Sequence, residues 1–285
     1  MTGIHHVTAI SGKATRNLDF YTHVLGLRFV KKTVNFDDPG TYHLYYGDAV
    51  GHPGTILTFF PWEYAAPGRA GVGFTQETAF RVPASSIGYW IRRFVEKGVT
   101  HEALEKRLGE AVLPFKDPDG LILALVGAAG AETEPAWHTT DIPMEHAIRG
   151  FHGVTLLLED ASPTASVLSD VLGFNKTGED GPLIRFRASE TIGGYVDIRE
   201  AKGFLAGQLG RALFITSHSA PQMTRDRRRW HKSLSRTMAF GLPSRSIANI
   251  SDRSTSVNPA GFFLRSQLTN QASRSMKRSI HWVAI

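Results

Sequence analysis

The residues best placed to do chemistry near the start of the chain are the adjacent pair His5-His6 and, one residue beyond Val7, Thr8. Cysteine is absent, which excludes disulfides, thiolate metal sites and a cysteine nucleophile, so any bound metal must be held by His, Asp or Glu. His6-Val7-Thr8-Ala9-Ile10 is β-branched and apolar and reads as a strand. Adjacent strand residues point to opposite faces, so only one of the two imidazoles is expected in a given cavity, with Thr8 on the face of His6. The plainer alternative is a pair of strand histidines in ordinary polar contacts. His152 has a similar setting in Gly150-Phe151-His152-Gly153. His43, His52 and His146 read as surface or turn residues, His43 being the one able to approach a cavity.

The elements that must position these residues are repeated. Gly3-Ile4-His5-His6-Val7-Thr8 returns as Gly150-Phe151-His152-Gly153-Val154-Thr155, and Val24-Leu25-Gly26-Leu27 as Val171-Leu172-Gly173-Phe174, both at an offset of 147. Two motifs sharing one offset point to a duplicated unit over 3–29 and 150–176. Each unit reads as strand, helix, strand. Leu18, Tyr21, Val24 and Leu25 recur at helical spacing from Asn17, Gly26 suits a helix end, and Leu27–Phe36 reads as extended. Asp117-Pro118-Asp119-Gly120 is a turn before the buried-strand run Leu121–Val126, and His52-Pro53-Gly54-Thr55 before Ile56–Phe60 has the same form. Between them, Phe74–Val82 reads as a strand and Ser86–Lys97 as an amphipathic helix carrying Ile87, Trp90, Ile91, Phe94 and Val95. The expected fold class is α+β: tandem βαβββ modules forming curved mixed sheets. A pair of modules is expected in residues 1–128, a linker over 129–149 and a third module in 150–211.

Residues 212–285 break this pattern. They hold 12 Lys+Arg against two acids, Asp226 and Asp252, and 13 serines in 74 positions. The first 211 residues hold 20 basic and 24 acidic residues, so the net charge of +6 hides a change from −4 to +10. A basic, Ser-rich tail ordinarily suggests a disordered arm or a nucleic-acid contact. The N-terminus lacks a basic start followed by an apolar run, and no stretch approaches the ~18 apolar residues of a membrane span. A cytoplasmic protein without a membrane partner is expected.

Repeated βαβββ units, an opening strand of the form G-h-H-H-V-T and a closing D-P-D-G turn resemble the vicinal oxygen chelate superfamily. That superfamily includes glyoxalase I, fosfomycin and bleomycin resistance proteins, and extradiol dioxygenases. Phe29-Val30-Lys31-Lys32-Thr33, Tyr42-His43-Leu44-Tyr45-Tyr46-Gly47-Asp48, Gly51-His52-Pro53-Gly54-Thr55 and Phe59-Phe60-Pro61 are similar to the hydroquinone-type ring-cleaving dioxygenases. So is His146-Ala147-Ile148-Arg149-Gly150-Phe151-His152, and the resemblance runs nearly continuously over 1–211. It implies two His and one carboxylate holding Fe(II) or Mn(II), with open positions where a dihydroxy-aromatic ring and O2 bind side by side. It maps the first ligand onto His6 and a supporting position near the substrate onto Thr8. His152 aligns with His5, and Gly153 takes the column of His6, so His152 is expected to be structural. The implied partners are a small aromatic substrate and O2, with no specific nucleic acid; a homo-oligomer is left open.

The same resemblance puts the other His and the carboxylate in a fourth module, opened by a strand like T-V-H-H-I-A-F and closed by one like P-G-G-V-L-F-E-I. Neither occurs in 212–285. Yet Ala212–Ala220 can be encoded so that the neighbouring frame reads T-V-H-H-I-A-F-R-T, and Asn258–Leu268 so that it reads P-G-G-V-L-F-E-I-A-T. Two bases of each shifted codon are largely fixed by the visible residues. The second His codon would span Ile215 and Thr216, and the Glu codon Leu264 and Arg265. Residues 212–285 are therefore expected to be an out-of-frame, poorly ordered tail replacing the fourth module, after loss of one base near Arg211–Ala212. Such a chain is expected neither to bind Fe(II) tightly nor to turn over. The competing readings are a glyoxalase-like lyase, a metal-free binding protein with Trp62, Tyr45 and Phe59 lining an aromatic cleft, and a nucleic-acid-binding tail.

Overall fold

Val7 and Ala9 alternate with His6 and Thr8 along the first strand and join a core with Phe20, Tyr21, Leu25, Tyr46 and Phe59. That alternation fixes which face of the strand is left for a site. The computed structural model describes residues 3–35, 38–219, 256–257, 262–267 and 279–284. The first module runs β1 (Ile4–Ser11), α1 (Ala14–Asp19), β2 (Arg28–Val34), β3 (Tyr42–Gly47) and β4 (Ile56–Pro61). The second runs β5 (Phe74–Pro83), α2 (Ile87–Lys97), β6 (Glu105–Arg107), β7 (Glu110–Lys116) and β8 (Ile122–Ala128). The third runs β9 (Gly150–Leu158), α3 (Ser162–Ser166), β10 (Asn175–Asp180), β11 (Leu183–Arg187) and β12 (Tyr195–Glu200). Each is a βαβββ unit, as the sequence pattern predicts.

The helix expected over 17–25 begins earlier, at Ala14, and widens into a π turn over Phe20–Val24 before Gly26 at φ +72°. The third module repeats the device: a π turn over Val167–Val171, then Gly173 at φ +73°. Left-handed backbone costs glycine least, so these two residues end the helices at matching places. Arg93 of α2 ties the modules together, donating to the carbonyls of His23, Val24 and Asp141. It thereby satisfies carbonyls that the end of the first helix leaves open.

The sheets pair modules across the chain. One sheet has the order β10-β11-β12-β9-β5-β8-β7-β6, so the second and third modules share it across the 129–149 linker. The other carries β4-β3-β2 on one side of β1 and four further strands on the other. These are β13 (Phe214–Ser219), β14 (Ser256–Val257), β15 (Phe262–Gln267) and β16 (Ser279–Ala284). The sequence shows no strand period after Arg211, yet backbone strands continue the sheet there. The unpaired N–H and C=O groups on the free edge of β1 are a template that asks little of the side chains. The added strands do not reproduce a module. The first and last strands pair in parallel in β1/β4, β5/β8 and β9/β12, whereas β13 and β16 run antiparallel. The rest of the expected poorly ordered tail, 220–255, 258–261, 268–278 and Ile285, lies outside the described residues. Among the described residues, no helix is long and apolar enough to cross a membrane.

Candidate functional site

His6 sits mid-strand, opposite Ile56 of β4 on one side and His218 of β13 on the other. Between Ile4 and His6 the pairing with β13 slips by one residue, leaving His5 as the extra residue of a bulge. The slip breaks the alternation expected of the His5-His6 pair. Their rings meet, with Nδ1 to Nδ1 at 3.0 Å, one donating and the other accepting. Burial lowers the pKa of His5.

Thr8, two residues on, is buried and faces Thr58 of β4, whose hydroxyl donates to its Oγ1 at 2.9 Å. Thr58 in turn lies 2.8 Å from His43 Nε2, and His43 Nδ1 lies 2.8 Å from the hydroxyl of Tyr45. The side chains of four residues on three strands thus form one polar row across the sheet. The His43 ring lies 4.2 Å, centre to centre, from both Tyr45 and Phe60, and Phe60 stacks toward Trp62 at 6.4 Å. Burial, and then the nearby Lys31 ammonium, push the His43 pKa down to about 4. The imidazole is therefore neutral near pH 7, with one N–H to give and one lone pair to accept.

The structure sorts the expected residues unevenly. His6 and Thr8 lie on one strand, Thr8 as a member of the polar row, and His43 and Tyr45 do approach that face. His43 and Tyr45 were legible only as part of a motif; their pairing with Thr58 depends on strand register. Phe59, expected to line an aromatic cleft, is instead fully buried, 4.6 Å from Tyr21, and Phe60 takes its place. The reason is strand parity, since Phe59 shares the core face with Leu57. His52 pairs with Asp48 in a turn and His146 stacks on Tyr89, both away from this row. His152 is buried against Glu110 at 3.2 Å and stacks on Tyr195 at 4.5 Å. It is the bulged residue of β9, as His5 is of β1. Among the described residues, no three His, Asp or Glu side chains converge as a metal site would require. The donors described here do not fit a two-His-one-carboxylate centre.

Three βαβββ modules in two mixed eight-stranded sheets, with a histidine-bearing first strand, define the class of protein. Residues 3–125 match the Glyoxalase/Bleomycin resistance protein/Dioxygenase superfamily, and the chain belongs to this family. A crystal structure of a provisionally named dioxygenase from Bacillus subtilis superposes with a TM-score of 0.77 at 35% identity, over 93% of this chain and 80% of that one. The chain is 31% identical to the chlorohydroquinone/hydroquinone 1,2-dioxygenase of Sphingobium indicum over 224 residues, 74% of this chain and 70% of that protein. It is 44% identical over 197 residues to MhqO of Bacillus subtilis, provisionally named a ring-cleaving dioxygenase. That match covers 69% of this chain but 62% of MhqO, so the chain spans less than two thirds of that relative. Glyoxalase I from Zea mays, at 13% identity and a TM-score of 0.63, shares the fold.

Proposed function

We propose that this chain derives from a dioxygenase that opens the ring of a hydroquinone or related dihydroxy-aromatic with O2, and that residues 212–285 are out of frame. The first sheet supports the substrate class. His6 and Thr8 occupy the columns that the family resemblance assigns to a ligand and its support, and a neutral, aromatic-flanked polar row stands behind them. Neutral hydroxyl and imidazole groups suit hydrogen bonds to ring hydroxyls, and flat side chains suit the ring itself. In the intact family Fe(II) or Mn(II) would activate O2 and the ring hydroxyls. The described residues of this chain do not assemble that centre.

The observation that carries the second half is the direction of β16. Every other module closes with a strand parallel to its first, and this one closes antiparallel. A sequence selected for the fold would carry the crossover that parallel pairing needs; an arbitrary one takes whatever pairing the edge of β1 allows. The 285-residue chain is then inactive, and restoring one base near Arg211–Ala212 gives activity. Oxygen uptake with hydroquinone, measured for both proteins, tests this. Turnover by the 285-residue chain overturns the claim of inactivity. A coding sequence across residues 205–220 that does not yield T-V-H-H-I-A-F in the adjacent frame overturns the frame break.

A further inference from the structure

We propose that His43 is a positioning residue: through Thr58 it sets the Thr8 hydroxyl as a hydrogen-bond donor to a ring oxygen of a hydroxy-aromatic ligand on the first sheet. The proposal rests on the ring-binding part of the reading above and adds the residue that orients the donor.

The Tyr45 hydroxyl lies 2.8 Å from His43 Nδ1, and Thr58 spends its one proton on Thr8. Thr58 must then accept from Nε2, which leaves Nδ1 as the nitrogen that takes the Tyr45 proton. A neutral His43 accepting at Nδ1 carries its proton on Nε2, which donates to Thr58 Oγ1 at 2.8 Å. Thr58 then has its own proton to place elsewhere, and it donates to Thr8 Oγ1 at 2.9 Å. Thr8 has accepted within the row, so its proton points out of it. The tautomer of one imidazole thus fixes the polarity of a hydroxyl two hydrogen bonds away. The ring has little freedom to swing, because Tyr45 and Phe60 flank it at 4.2 Å each. The second sheet keeps a hydroxyl at the place of Thr8, Thr155, but not the relay behind it. At the places of Thr58 and Tyr45 it carries Asp197 and Arg185, and these close on each other.

The test uses the full chain and two rings of one shape, hydroquinone and p-xylene, the second having no oxygen. Binding is followed by calorimetry, and the His43 tautomer by nitrogen-15 NMR. The expected tautomer is Nε2–H, and the expected wild-type preference is for hydroquinone. His43→Phe keeps an aromatic ring but neither accepts nor donates, and it is expected to weaken hydroquinone about tenfold, the scale of one lost hydrogen bond, while leaving p-xylene unchanged. Thr8→Val should do the same. His43→Gln, whose amide can accept from Tyr45 and donate to Thr58, should retain most of the preference; a purely steric role would not be rescued this way. An Nδ1–H tautomer, or a His43→Phe chain that still prefers hydroquinone, overturns the proposal. A wild-type chain that takes neither ring overturns both the proposal and the ring-binding reading. A frame-restored protein that binds hydroquinone with the His43 dependence but consumes no O2 counts against ring cleavage alone.

Discussion

At matched register the first sheet carries His6, Thr8, Ile56, Thr58 and Tyr45, and the second carries Gly153, Thr155, Tyr195, Asp197 and Arg185. The duplicated backbone is the same and the chemistry opposite. In the first, the row is neutral and each group passes one hydrogen bond to the next. In the second, Arg185 forks onto Asp197 at 2.8 Å through two nitrogens and reaches Glu110 at 2.5 Å, with His152 completing the cluster. Burial opposes ionisation of Glu110, but His152 and Arg185 outweigh it and hold its pKa down to about 2. A side chain at the column of His6 is barred there, since a Cβ on Gly153 would stand 2.4 Å from the Tyr195 carbonyl oxygen. One copy of the repeated unit carries a neutral polar row, and the other fills the same face with paired charges.

The largest effects should come from breaking the filled sheet. Arg185→Met removes the shared partner of two carboxylates that are mostly shielded from water. Leaving a buried charge uncompensated costs about 3–5 kcal/mol, which urea denaturation would register as a large fall in midpoint. An unchanged midpoint would mean that the cluster is solvated and the contrast between the sheets is overstated. Gly153→His, which copies the first sheet's residue into the second, should cost about 1–3 kcal/mol through overpacking against Tyr195. A well-tolerated histidine there would show that the second face retains room for a site. Thr58→Val, in the first sheet, removes one neutral link and should cost only about 1 kcal/mol.

Much of this was open to reading in the sequence because it is local. The 147-residue offset gave the duplication, apolar period placed α2 and β5, and the Asp-Pro-Asp-Gly turn marked the approach to β8. Alignment with the repeat also separated His152 from His6. What was hidden depends on pairing. The hydrogen bonds from Tyr45 to Thr8 join residues up to 50 positions apart, and no spacing rule brings them together. The bulges at His5 and His152 are irregularities of register, which a strict period of two cannot contain. Parity misplaced Phe59 for a related reason: two adjacent phenylalanines look equivalent until the strand fixes which one faces the core. The strands after Arg211 were missed because sheet edges recruit backbone, and backbone has no sequence signature.

The most discriminating effect separates the sheets by pH. His43 has a pKa of about 4 in the folded chain, below its usual 6.5, so the unfolded chain binds the proton more tightly. Its contribution to stability is present above pH 6.5 and is lost as pH falls towards 4. Glu110 is lowered from 4.5 to about 2, so its contribution persists to pH 4.5 and is lost only below it. Asp117 runs the other way. Burial, first, raises its pKa to about 6, and its contribution is present below pH 3.8 and lost as pH rises through 6. Because Asp117 is common to wild type and His43→Phe, the difference between their urea midpoints from pH 7 to pH 4 isolates the imidazole. Wild type should lose stability on acidification more steeply than His43→Phe over this range, and the two should run parallel below it. Equal slopes between pH 6.5 and 4 would mean that His43 titrates as if exposed, and the polar row of the first sheet would then lack the fixed polarity that distinguishes it from the charge cluster of the second.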